Sequence, residues 1–197
     1  MSPDHPPLVL ASSSPFRREL LARLGLAFLS DSPDIDEQRT PGEAPEALVQ
    51  RLALEKARAV AGRHPGALVI GSDQVAVLED GTVLGKPGSE ERARQQLRQA
   101  SGRSVTFLTG LCLYNAATEG YQLCCEPFRV HFRELSADAI ASYIRKEQPL
   151  NCAGSFKSEG LGITLFRRLE GDDPNALIGL PLIRLTDMLA AEGVALP

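Results

Sequence analysis

The stretch Leu8-Val9-Leu10-Ala11-Ser12-Ser13-Ser14-Pro15-Phe16-Arg17-Arg18 constrains this chain more than any other. Leu8 to Ala11 read as a short buried strand, the serines as a turn, and Pro15 as the first residue of a helix capped by Ser14. A buried strand that runs straight into a helix opens a βα unit, and such units build sheets covered by helices. The charge at the helix start is unusual. A helix N-terminus carries about half a positive charge and favours acidic residues, yet Arg17 and Arg18 stand there. Free N–H groups, serine hydroxyls and guanidinium all favour an anion, phosphate first. The plainer alternative is a pair of arginines pointing into water.

Strands and helices alternate early, and strands gather later. Strands are expected over Leu8–Ala11, Ala27–Ser30 and Ala67–Gly71, with helices over Pro15–Leu24 and Glu46–Ala61, stopped by Gly25 and Gly62. An acidic, proline-rich loop lies between Asp31 and Pro45. Glu79-Asp80-Gly81 marks a hairpin turn between Val75–Leu78 and Thr82–Leu84. Ser89 and Ser136 cap helices over Glu90–Gln99 and Ala137–Lys146, and long strands run over Ser104–Tyr114 and Gln122–Phe132. A glycine-rich passage from Asn151 to Gly162 leads to a strand at Ile163–Leu169, and Pro181–Glu192 closes as a helix. The pattern predicts a mixed α/β fold, a largely central twisted sheet flanked by helices. With 197 residues, 43% of them hydrophobic, one domain over 1–197 is expected, with room for two lobes. Residues 1–7, polar and proline-rich, read as a flexible tail.

Several function classes are disfavoured at once. A net charge of -4 argues against grip on a nucleic-acid backbone. No apolar run is long enough to span a bilayer, and no signal-peptide pattern opens the chain, so a cytoplasmic address is expected. Cys112, Cys124, Cys125 and Cys152 match no zinc spacing and read as reduced structural thiols. His5, His64 and His131 show no metal-ligand spacing.

A few residues look chemical. Asp73 follows an apolar strand in Gly71-Ser72-Asp73, where α/β folds gather ligands, so it is placed to take a proton from water or to bind a metal. The alternative is a turn aspartate bonded to its own backbone. Lys56 interrupts the helix stripe Leu48, Leu52, Val60, so it either snorkels into water or meets a buried anion. Lys86 lies in Gly85-Lys86-Pro87, a loop suited to close approach. Glu37 ends the run Asp34-Ile35-Asp36-Glu37, and carboxylates with phosphate oxygens make the usual magnesium site. Glu159 stands in a glycine-bracketed loop of the kind that carries binding residues. Together these groups suit metal-assisted hydrolysis of a polyphosphate ester.

The pieces Leu10-Ala11-Ser12-Ser13-Ser14-Pro15, Arg17, Asp36-Glu37, Glu55-Lys56-Ala57, Gly71-Ser72-Asp73, Gly85-Lys86-Pro87 and Cys152-Ala153-Gly154, in this order, resemble the Maf family of nucleotide pyrophosphatases. The resemblance covers nearly the whole chain and implies an inosine-triphosphatase-like architecture. It implies hydrolysis of nucleoside triphosphates to monophosphate and pyrophosphate with a divalent cation, Mg2+ or Mn2+. By that likeness Ser12, Arg17, Lys56 and Lys86 bind the triphosphate, Glu37 serves the metal, and Asp73 is the catalytic base.

Phe16, Gln74 and Glu159 depart from the common Maf pattern, which has arginine, threonine and glutamine there. The combination resembles the branch of the family that acts on 7-methyl-GTP, rather than on dTTP and UTP. Methylation at N7 makes the guanine ring cationic. An aromatic ring at Phe16 would then add a cation–π contact of about 0.5–2 kcal/mol where arginine would repel; the alternative is that Phe16 is a core residue of the first helix. Glu159 would accept from guanine N1–H and the amino group, and Gln74 would donate to the guanine carbonyl. The implied partner is the nucleotide, with no nucleic acid and no membrane; a homodimer stays open. Two other readings stand beside this one: a broader house-cleaning pyrophosphatase for other modified nucleotides, and a nucleotide-binding regulator of cell division.

Overall fold

The structure is a computed structural model that describes residues 5–196. Strands β1 (Leu8–Ala11), β2 (Phe28–Asp31), β3 (Leu68–Leu78), β4 (Val83–Leu84), β5 (Ser104–Asn115), β6 (Tyr121–Phe132) and β7 (Phe166–Glu170) alternate with helices. The helices are α1 (Pro15–Ala22), α2 (Pro45–Ala61), α3 (Glu90–Ala100), α4 (Ala137–Glu147), α5 (Pro174–Ile178) and α6 (Leu182–Ala191). Hydrogen bonding orders the strands β2-β1-β3-β5-β6-β7, with β4 on β3, so the mixed α/β expectation holds. The chain forms two compact units. One takes in the residues up to Asp73, Thr109–Glu126 and those from Gly179 onward; the other takes in Gln74–Leu108 and Pro127–Ile178.

In the first unit β1 lies between β2 and β3 and is parallel to both, with Leu8 in register with Phe28 and Leu68. Parallel neighbours need crossover connections, and α1 and α2 supply them. All of β1 is buried, as a strand covered on both faces must be. The core on the α2 side is built from small residues. Ala53, Ala57, Val60 and Ala61 meet Val9, Ala11, Val69 and Cys112. Of the tail read over 1–7, residues 1–4 lie outside the described part, and the Pro7 carbonyl already accepts from Leu68 N at 2.9 Å.

The second unit packs its own core around aromatic rings. Phe107, Phe132, Phe156 and Phe166 meet edge to face with centroids 4.7–5.7 Å apart, an arrangement favoured by the ring quadrupoles. The β3–β4 hairpin turns at Gly81, whose φ is +84°, a left-handed position suited to glycine. Ser89 and Ser136 cap α3 and α4 by accepting from Arg92 N and Ala139 N, as their positions in sequence predict.

Two expectations are corrected. The strands expected over Ala67–Gly71 and Val75–Leu78 are one strand of 11 residues, Leu68–Leu78, within which Gly71 permits a close helix approach. The strand expected at Ile163–Leu169 begins only at Phe166, after a 3-10 segment over Leu161–Leu165. Helix α5 lies between the strand and the last helix that the sequence predicts. Its signal is Asp173-Pro174: the Asp173 carboxylate accepts from Asn175 N at 2.8 Å, and Pro174 opens the helix.

Candidate active site

Two glycines determine how closely α2 approaches the sheet. A Cβ at Gly71 would lie 2.0 Å from the Ala53 carbonyl oxygen, and one at Gly110 would lie 2.1 Å from that of Val49. Without side chains there, α2 settles directly onto β3 and β5. Side chains alternate along a strand, so Val69, Gly71 and Asp73 share the face turned to α2. Lys56 on α2 therefore reaches Asp73, with Nζ 2.6 Å from Oδ1. It also lies 2.8 Å from Glu37 Oε1. Lys56 is only 6% exposed and Asp73 only 9%. The lysine that breaks the apolar stripe thus meets buried negative charge and does not snorkel. Asp73 is a residue of mid-strand β3, not of a turn beyond its end. Its Oδ2 makes no hydrogen bond among the described residues.

The serine turn and α1 bring a second cation. Ser14 caps α1, accepting from Arg17 N at 3.4 Å, and buried Ser12 accepts from Ser14 N at 3.1 Å. Arg17 is half-buried, and its Nε donates to the Gly179 carbonyl at 2.8 Å. Burial pushes its pKa down, while the negative charges of Asp73 and Glu37 push it up. Arg17, Lys56, Glu37 and Asp73 thus form one electrostatic cluster within the first unit. Arg18, by contrast, is exposed. Phe16 is half-buried on α1, one turn before buried Leu20.

The remaining candidates belong to the second unit. Gln74 directs its amide nitrogen at the Ala176 and Leu177 carbonyls of α5, at 2.8 and 3.2 Å. Lys86 is exposed and makes no ion pair among the described residues. Its loop is fixed from both sides: the Gly85 carbonyl accepts from Gly154 N at 3.4 Å and from Gln96 Nε2 at 3.2 Å. Glu159 is exposed and accepts from Ser158 Oγ at 3.2 Å. Burial raises the Cys152 thiol pKa, Glu159 and Glu147 add to the rise, and Lys157 and Lys86 oppose it. All four cysteines are unpaired thiols.

Among the described residues no group of three or more His, Cys, Asp or Glu side chains is arranged to hold a metal ion. Glu37 and Asp73 nonetheless meet at one ammonium. Two carboxylates with the phosphate oxygens of a nucleotide make the oxygen donor set that a magnesium-class ion takes. The residues fit a cation that arrives with its nucleotide.

Ser72 and Gly179 carried no functional reading in the sequence. Ser72 is fully buried, and its Oγ donates to the Gly179 carbonyl at 3.0 Å. The signal for Gly179 is a glycine between Ile178 and Leu180-Pro181, directly after the helix that Asp173-Pro174 opens.

The chain belongs to the Maf-like protein family, whose pattern matches residues 7–192. It is 63% identical over 192 residues to the 7-methyl-GTP pyrophosphatase of Pseudomonas aeruginosa, covering 98% of this chain and 100% of that one. It is 62% identical over 197 residues to the enzyme of that name from Alcanivorax borkumensis, covering 100% of both chains. Among solved structures, the Staphylococcus aureus Ham1 protein is a distant likeness at 16% identity and a TM-score of 0.47, over 64% of this chain and 72% of that one. No helix among the described residues is long and apolar enough to cross a membrane.

Proposed function

We propose that this chain is a nucleoside triphosphate pyrophosphatase that hydrolyses 7-methyl-GTP to 7-methyl-GMP and pyrophosphate. One observation carries the reading: buried Lys56 clamps Asp73 and Glu37 within the electrostatic reach of Arg17, in a chain 63% identical to a 7-methyl-GTP pyrophosphatase. Water attacks the α-phosphorus, and Asp73 takes its proton on Oδ2 while Lys56 fixes Oδ1. The bond from the α-phosphorus to the bridging oxygen breaks, and pyrophosphate leaves with the electron pair. Arg17, Lys56 and Lys86 bind the triphosphate and offset charge on the leaving group, and Ser12 offers its hydroxyl to a phosphate oxygen. Glu37 would hold a magnesium or manganese ion against the phosphate oxygens, where such an ion supplies charge neutralisation and Lewis-acid polarisation.

Phe16 and Glu159 read the cationic base, the first through its ring face and the second as a charged acceptor. Gln74 acts on specificity through α5, since its amide nitrogen already serves two carbonyls there. The chain works as one catalytic domain in the cytoplasm, and the unpaired cysteines suit that reducing compartment. Nucleic acid and membrane play no part, and the reading holds for a monomer or a homodimer alike.

Turnover of 7-methyl-GTP beside GTP, dTTP and UTP, with and without magnesium, tests it. The expected result is preferred, metal-dependent cleavage of 7-methyl-GTP that releases pyrophosphate and monophosphate. Release of orthophosphate and diphosphate, or equal rates on all four, would sink it.

A further inference from the structure

One main-chain oxygen joins two elements of the first unit. The Gly179 carbonyl accepts from Arg17 Nε of α1 at 2.8 Å and from Ser72 Oγ of β3 at 3.0 Å. A carbonyl has two lone pairs and serves both donors at once. Ser72 is fully buried and directly precedes Asp73 on the opposite face of the strand. Gly179 has φ of +129°, a backbone conformation that side-chain-bearing residues rarely adopt, and a Cβ there would lie 3.5 Å from Arg17 Nε. The terminal nitrogens of Arg17 make no hydrogen bond among the described residues.

We propose that Ser72 and Gly179 are positioning residues that preset Arg17 for the triphosphate. The Ser72 hydroxyl fixes the Gly179 peptide plane, the carbonyl holds Nε, and the two terminal nitrogens are presented to phosphate before it arrives. An arginine held in this way has already given up its rotamer freedom, so less is lost on binding. The proposal rests on the reading of Arg17 as a triphosphate ligand. It adds a role for two residues that do not themselves touch substrate.

The test is a double-mutant cycle. Wild type, Ser72→Ala, Arg17→Ala and the double variant are assayed for kcat and KM on 7-methyl-GTP and for inhibition by inorganic pyrophosphate, with thermal midpoints as the folding control. Ser72→Ala alone is expected to lower kcat/KM about tenfold and to weaken pyrophosphate inhibition in parallel, as misplacement of a binding group does. In the Arg17→Ala background the same change is expected to cost less than about twofold, because the two residues act as one unit. Should Ser72→Ala fail to fold, Ser72→Cys, near in size and a weak donor, takes its place in the cycle. Equal losses in both backgrounds, with wild-type turnover intact, overturn the latch and leave the reading of Arg17 standing. A wild type without turnover on any nucleoside triphosphate overturns that reading and the latch with it.

Discussion

Lys56 Nζ and Asp73 Oδ1 lie 2.6 Å apart, and the two side chains are 7% and 12% exposed. The contact links α2 to β3 across a gap that Gly71 keeps narrow. It also divides the aspartate: one oxygen is tied to the ammonium while the other makes no hydrogen bond among the described residues. A carboxylate divided in this way keeps its orientation and still offers an acceptor for a water proton.

Asp73→Asn is expected to lower kcat by about 10²–10⁴, the usual share of a general base, while affinity for the nucleotide persists. Lys56→Ala leaves Asp73 buried without its partner, and breaking such a pair costs about 3–5 kcal/mol. Glu37 has a side chain 58% exposed, so Glu37→Ala is expected to cost under about 1 kcal/mol. Urea unfolding checks both; equal losses from Lys56→Ala and Glu37→Ala would refute the ranking.

Gly71→Ala is expected to lower both stability and turnover, since its Cβ would sit 2.0 Å from the Ala53 carbonyl oxygen and would push α2 away from Asp73. Gly62→Ala is the control: it ends the same helix at φ of -60°, with nothing within 4 Å of an added Cβ. Thermal midpoints and kcat of the two variants should separate clearly. A Gly71→Ala enzyme with native stability would show that α2 shifts without loss.

Acid should loosen the end of β2. Hydrogen bonds from Arg63 and His64 pull the Asp31 pKa down to about 2. The folded value lies below the unfolded value of about 3.9, so this stabilisation is present above about pH 4 and is lost as pH falls toward about 2. In Asp31→Asn that portion of the acid dependence should vanish, so the drop in thermal midpoint between pH 6 and pH 3 becomes smaller. An unchanged drop would show that the ion pairs contribute nothing.

Glu159→Gln keeps the size and removes the charge. If Glu159 reads the methylated base, the ratio of kcat/KM for 7-methyl-GTP over GTP should fall about tenfold, the worth of one charged hydrogen bond. An undiminished ratio would remove Glu159 from base recognition.

Much of this was legible in the chain because local rules decided it. Ser14, Ser89 and Ser136 cap the helices they were expected to cap. Glycine and apolar periodicity gave α2 its length and β1 its burial. Lys56 was conspicuous because a charge in an apolar stripe demands an answer. Other features were hidden because they depend on partners far away in sequence. Which helix Gly71 admits shows only once Ala53 is beside it. Ser72 and Gly179 are 107 residues apart, and no local pattern predicts that a serine hydroxyl and an arginine share one carbonyl. The Gln74 contacts to the Ala176 and Leu177 carbonyls likewise arise only once α5 is in place.

The group that steadies Arg17 is part of the main chain, and that carries a lasting consequence. A peptide oxygen neither gains nor loses a proton at any pH at which the protein is folded, and a bond to a neutral acceptor is screened less by salt than an ion pair is. The aim of the guanidinium is therefore insulated from acidity and ionic strength, which act on pairs such as Asp31 and Arg63. Nor can any exchange of side chains delete the oxygen. Substitution can only rotate it, at the glycine whose lack of a side chain permits the bend or at the serine that fixes its peptide plane.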